Sequence, residues 1–166
     1  MSDDDDFTSR LESAIERGKR RGQHQANEQR AKQLSEEELK RLHTTYRLEL
    51  SDRIERAVAR VADHFPGFRQ ESLFGEVGWG MACFRDDLQI VSGKRNNLFS
   101  RLEMMIRPYS HLRVLELKGK GTVANRELFN RSHFIPVGEV DQSEFERLID
   151  AWAIEYAELY AAKTAG

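Results

Sequence analysis

The stretch Leu115–Phe129, LELKGKGTVANRELF, decides how the second half of the chain is read. Its centre, Gly119-Lys120-Gly121-Thr122, has the residue types of a phosphate-binding loop. Such a loop needs a glycine five residues before the Gly-Lys pair and a Ser or Thr directly after the lysine, followed by a helix. Here Val114 stands at the first position, Gly121 follows the lysine, and β-favouring Thr122-Val123 comes next. A short glycine-bearing link between two alternating segments is instead the pattern of a β-hairpin. The expectation is a strand over Arg113–Lys118, a turn at the glycines and a strand over Thr122–Phe129.

Upstream the same period of two continues. Leu98–Ile106 alternates, with Leu98, Leu102, Met104 and Ile106 on one face and Phe99, Arg101, Glu103, Met105 and Arg107 on the other. Before it, Leu73–Phe84 and Leu88–Val91 read as strands separated by a turn at Asp86-Asp87, with Ser92–Asn97 as a polar loop. No crossover helix fits between such closely spaced segments. An antiparallel meander of about five strands over 73–137 follows.

Helices are expected on both sides of the sheet region. Asp141 and Glu144 have capping-box spacing, and Phe145, Leu148, Ile149, Trp152, Tyr156, Leu159 and Tyr160 trace one apolar stripe, so a helix is expected over 142–163. Ser35 and Glu38 repeat the capping-box spacing, Leu34 and Leu39 are placed for a hydrophobic staple, and an apolar stripe runs from Leu42 to Val61 until Pro66 stops it. A helix over 36–64 would be about 42 Å long, with Ser51 as a point where it could divide. The fold class is α+β: an antiparallel meander flanked by a long N-terminal helix and an amphipathic C-terminal helix.

Residues 1–33 read as a flexible N-terminal arm preceding a single domain over 34–166. Phe7, Leu11, Ala14 and Ile15 form a short amphipathic stripe behind an acidic start, too short for a stable isolated helix. The following GKRRGQHQANEQRAKQ has linker composition.

Composition narrows the function classes. The 166 residues are 39% hydrophobic and 33% charged with a net charge of −2, and the single cysteine, Cys83, rules out an internal disulfide framework. No run is apolar enough for a membrane span, and MSDDDD has neither the basic flank nor the apolar stretch of a signal peptide, so no membrane and a cytoplasmic location are expected. Charge is uneven: Arg85–Arg131 holds ten Lys/Arg against five Asp/Glu, and Glu139–Lys163 holds two against seven.

No pattern of catalytic or metal-binding spacing is found. His24, His43, His64, His111 and His133 include no pair at i, i+3 or i+4, so no metal and no cofactor are expected. His111 and His133 flank strands, and their meeting at one sheet end beside a pocket is the only enzyme-like arrangement on offer. Cys83 beside Trp79 and Met81 reads as a small buried hydrophobe.

The surface that resists a bland account is the second face of Leu98–Ile106. Phe99, Arg101, Met105 and Arg107, joined by Arg113, Lys118 and Arg126, interleave apolar and cationic groups. This is the expected partner-binding set. The leading expectation is a non-enzymatic protein-binding or chaperone-like adaptor module forming a homodimer. One alternative is nucleic-acid binding through the basic sheet face, which uses the same residue types. The other is a small ligand-binding protein or enzyme with a pocket between helix and sheet.

Overall fold

The computed structural model describes residues 3–165. It has two α-helices and a five-stranded antiparallel sheet, an α+β architecture. The elements are α1 (Asp3–His64), β1 (Arg69–Leu73), β2 (Trp79–Val91), β3 (Lys94–Ile106), β4 (Val114–Val123), β5 (Arg126–Pro136), a 3-10 turn at Val137–Glu139, and α2 (Gln142–Thr164). The strands lie in the order β1-β2-β3-β4-β5, a simple meander. The chain divides into two compact units, Met1–Lys40 and Arg41–Gly166.

In the first unit α1 begins at Asp3, well before the expected start at Ser35. Four aspartates occupy its first turn, where the helix dipole favours negative charge. The stretch with linker composition is also helical. Its Gln, Arg, Lys, Glu and Ala residues are good helix formers, ion pairs of i,i+4 spacing join Asp6 to Arg10 and Glu16 to Arg20, and His24 Nε2 lies 3.1 Å from Glu28 Oε1. Ser35 is therefore an interior residue rather than a cap. The staple expected of Leu34 lies outside the described side chains.

In the second unit α1 continues unbroken through Ser51, whose hydroxyl donates back to the Leu48 carbonyl (3.2 Å) instead of capping a new helix. Leu50, Ile54 and Val58 are completely buried, as their spacing requires. Asp141 caps α2 by accepting from the Ser143 N–H at 3.0 Å. Phe145, Ile149, Trp152, Tyr156 and Tyr160 form the buried stripe of α2.

Strand number and order follow the sequence expectation, whereas the breaks between strands do not. Asp86 and Asp87 lie inside β2, where Asp87 accepts from Arg85 Nε at 2.7 Å, and the reversal comes at Ser92-Gly93. The polar run Lys94–Asn97 is already β3. One strand, β1, was not anticipated, because its sequence RQESL is polar. Merging two expected strands into β2 and adding β1 leaves the count at five.

The same correction applies to Gly119-Lys120-Gly121, which is the interior of β4 and not a turn. The hairpin closes at Ala124-Asn125, both with positive φ, the geometry of a two-residue turn that matches strand twist. This position is held from β3. The Ala124 N–H donates to Ser100 Oγ (3.0 Å), the Asn125 N–H to the Phe99 carbonyl (2.8 Å), and Asn125 Oδ1 accepts from the Phe99 N–H (2.8 Å). The glycines serve a different need. A Cβ at Gly119 would stand 2.6 Å from Trp152 Cε3, and one at Gly121 would stand 2.7 Å from Phe129 Cε1 and 2.9 Å from Tyr156 Cδ2. They let the aromatic side of α2 settle onto the sheet.

Gly119→Ala and Gly121→Ala should each cost about 1–3 kcal/mol, since rigid rings must move. Gly18→Ala and Gly22→Ala, with nothing within 4 Å, should instead strengthen α1. Urea unfolding read by circular dichroism separates these outcomes; an unchanged midpoint for Gly121→Ala would contradict the packing role.

Candidate functional site

The register sorts the sheet into two faces. Trp79, Cys83, Leu102, Met104, Ile106, Leu115, Leu117, Gly119, Gly121 and Phe129 share the face against which α2 packs. The second-unit part of α1 meets the same side, with the Arg47 guanidinium 4.1 Å from the Trp79 ring centroid. Within the second unit, the contacts of α2 with the sheet are to β4 and β3.

The opposite face gathers Phe99, Arg101, Met105, Arg107 and Lys118, as alternation implied, with Lys118 directly opposite Met105. The structure does not leave them as a free platform. Arg101 pairs with Glu103 and Glu71, both at 3.2 Å, and Met105 is 5% exposed. Segment 74–78 folds against Met105 and Arg107: Gly78 lies close over Met105, and Arg107 Nη1 donates to the Val77 carbonyl. Arg113 sits at the mouth of β4 with positive φ, and Arg126 pairs opposite Val123, toward the helix side. Five of the seven expected residues therefore share one face, while Arg113 and Arg126 do not.

The histidines are also dispersed. His133 Nε2 lies 3.3 Å from Glu144 Oε1 on α2, and its ring meets Phe145 edge-on. His111 is exposed in the loop before β4, with no described contact to His133. Among the described residues no cluster of three His, Cys, Asp or Glu could hold a metal ion.

His43 on α1 is only 3% exposed and stacks edge-on against Tyr109, ring centroids 5.4 Å apart. Burial lowers its pKa, the nearby Arg47 charge adds to this, and a hydrogen bond to the Arg107 backbone works in the opposite direction. Cys83 is buried on the helix side, and burial pushes its thiol up to about 12. It is inert packing, as its neighbours implied.

A concavity lies between the two helices within the second unit. It is an open groove of about 690 Å³ lined by α1 and α2. From α1 come Arg53, Arg56, Ala57, Arg60, Val61 and His64, spaced at three and four residues so that they share a helix face. From α2 come Asp150, Ala153, Ile154 and Ala157 at the same spacing. The alanines are too short to close the gap between the helices. Ile154 is left 66% exposed at the wall.

One end of the groove is tied by Arg53, whose Nε donates to Asp150 Oδ1 at 3.1 Å and whose Nη2 donates to Oδ2. Asp150 is thereby committed, and its hydrogen bond raises the Arg53 pKa further. Arg56 pairs with its helical neighbour Asp52 at 3.3 Å, an exposed pair of small energetic weight. The His64 Nδ1 is 2.9 Å from the Arg60 carbonyl. The result is an apolar trough under a rim of guanidinium groups.

None of the residues expected to bind a partner lines this groove. Their spacing was visible in Ser51–Val61, but which helix face meets α2 depends on contacts far apart in sequence.

Family models, curated proteins and solved structures offer no match to this chain. Its function must therefore be argued from the geometry.

Two outcomes are expected. Cys83 should resist a thiol reagent such as DTNB in the native protein and react on unfolding; rapid native labelling would contradict its burial. For His43, the folded pKa lies below its ordinary value of 6.5, so the unfolded chain binds the proton first. The stability due to neutral His43 is full above 6.5 and is lost as pH falls below it. The melting temperature should drop as pH falls below 6.5, and His43→Gln should make that decline shallower. Equal slopes for the two proteins would contradict this.

Proposed function

We propose that this chain is a non-catalytic protein-binding domain of adaptor type, which takes an acidic amphipathic helix into the groove between α1 and α2. The observation carrying this reading is the groove itself: an apolar floor of Ala57, Val61, Ala153, Ile154 and Ala157 beneath Arg53, Arg56 and Arg60. Helix-in-groove recognition buries an apolar stripe at i, i+3 or i+4 spacing, and charges on the rim choose the partner and its direction.

The chemistry of the lining favours binding over catalysis. Its one carboxylate is held by Arg53, and His64 is engaged with the Arg60 backbone. On the opposite sheet face, Arg101 and Lys120 have carboxylate neighbours in Glu71, Glu103 and Glu127. Such pairing weakens the case for a phosphate-neutralising nucleic-acid platform there.

A fluorescently labelled model helix with Leu on one face and Glu on the other provides the test. It should bind the full chain, its affinity should fall with added salt, and Arg56→Glu with Arg60→Glu should weaken it by about tenfold or more. Ile154→Glu should also abolish the contact. Equal binding of a lysine-rich counterpart, or tight binding of a single-stranded oligonucleotide that Ile154→Glu leaves intact, would overturn the reading.

A further inference from the structure

The chain itself carries a segment with the chemistry that the groove selects. The first unit opens with Asp3, Asp4, Asp5 and Asp6 in the first helical turn. Phe7, Leu11 and Ile15 follow at i, i+4 and i+8, one stripe on one side of the helix. They are 63%, 48% and 51% exposed, large apolar groups in water with no described partner. Scattered exposed apolar residues are ordinary, but three in register on one helix form a continuous edge.

We infer that the groove between α1 and α2 receives residues 3–15 of a second copy of this chain. The inference rests on the binding reading above and names its partner. Two features carry it. The first is charge: the segment begins with four carboxylates, and the groove is rimmed by Arg53, Arg56 and Arg60, with His64 further along. Arg60 has no carboxylate within ion-pair distance among the described residues, and Arg56 pairs with the exposed Asp52. The second is shape. The groove's apolar residues lie at Ala57, Val61, Ala153, Ile154 and Ala157 along two helices, so a third helix with a stripe of period four can seat its apolar edge between them.

Symmetry makes the arrangement self-limiting. If each copy gives its segment to the other's groove, the two contacts are related by a two-fold axis and the assembly closes as a dimer. The same exchange would cover both the stripe and the trough. Like charge argues against other occupants: a basic helix would meet the guanidinium rim, and the desolvation of unpaired cations opposes a purely apolar one.

The test is sedimentation velocity on the full chain over a concentration series, with two paired variants. Leu11→Ser with Ile15→Ser alters an exposed stripe, and Arg56→Glu with Arg60→Glu alters the rim. Wild type should show a concentration-dependent dimer weakened by salt. Each paired variant should raise the dissociation constant by at least about tenfold. Mixing the two should restore a heterodimer, because one supplies an intact segment and the other an intact groove. A wild-type chain that stays monomeric at every concentration, or a dimer indifferent to both variants, overturns the inference. In that event the model acidic helix separates the two levels: if it still binds in an Ile154-dependent way, the groove reading stands and only the identity of the partner falls.

Discussion

The close seating of α2 on β4 is the contact on which the other features depend. It requires two positions without side chains, Gly119 and Gly121, under Trp152 and Tyr156. Once those rings are seated, the Tyr156 hydroxyl reaches the Thr122 carbonyl at 2.9 Å, so the buried phenol has a hydrogen-bond partner. Burial then raises the Tyr156 pKa, keeping the group neutral. Tyr160, one turn on, meets Phe65 and Phe68 with ring centroids 4.7 and 5.0 Å away, so the chain leaving α1 is gathered to the same helix. Burial of such aromatic groups contributes about 1.5–3 kcal/mol each, which outweighs single hydrogen bonds or surface ion pairs.

With α2 fixed, charge is spent mostly inside the fold. On the helix side of the sheet, Arg131 makes a two-pronged pair with Glu155 of α2, lowering the Glu155 pKa and raising its own. His133 Nε2 lies 3.3 Å from Glu144 Oε1 on the same helix. On the opposite face Arg101 is shared between Glu71 and Glu103, and Lys120 lies 3.9 Å from Glu127. The electrical asymmetry along the chain is therefore partly an internal complementarity. The guanidinium groups of Arg53, Arg56 and Arg60 on α1 border the trough between the helices.

The α+β class was legible because periodicity is a local property. A switch from period 3.6 to period two near Pro66 and back at Asp141 marks the sheet region from any single stretch of residues, and the Asp141 cap is a short-range event that the structure places where it was expected. The strand breaks were not legible in the same way. Asp86-Asp87 and Gly119–Gly121 have turn composition, yet both lie within strands, because cross-strand pairing and the approach of α2 outweigh local preference. The turn that does form uses Ala124, a poor residue for positive φ, and depends on bonds from Ser100 and Phe99 more than twenty positions away.

The candidate site divides along the same line. Sequence alone determined that Phe99, Arg101, Met105 and Arg107 share a side of one strand, since alternation fixes which residues point together. It also determined that Phe7, Leu11 and Ile15 form an apolar edge behind an acidic turn. Only the tertiary structure decided that the sheet set is partly occupied by carboxylates and segment 74–78, and that Arg53, Arg56 and Arg60 border a groove. The reason is physical: facing and pairing within an element follow from backbone geometry, whereas a groove exists only where two elements meet and their side chains fail to fill the space between them.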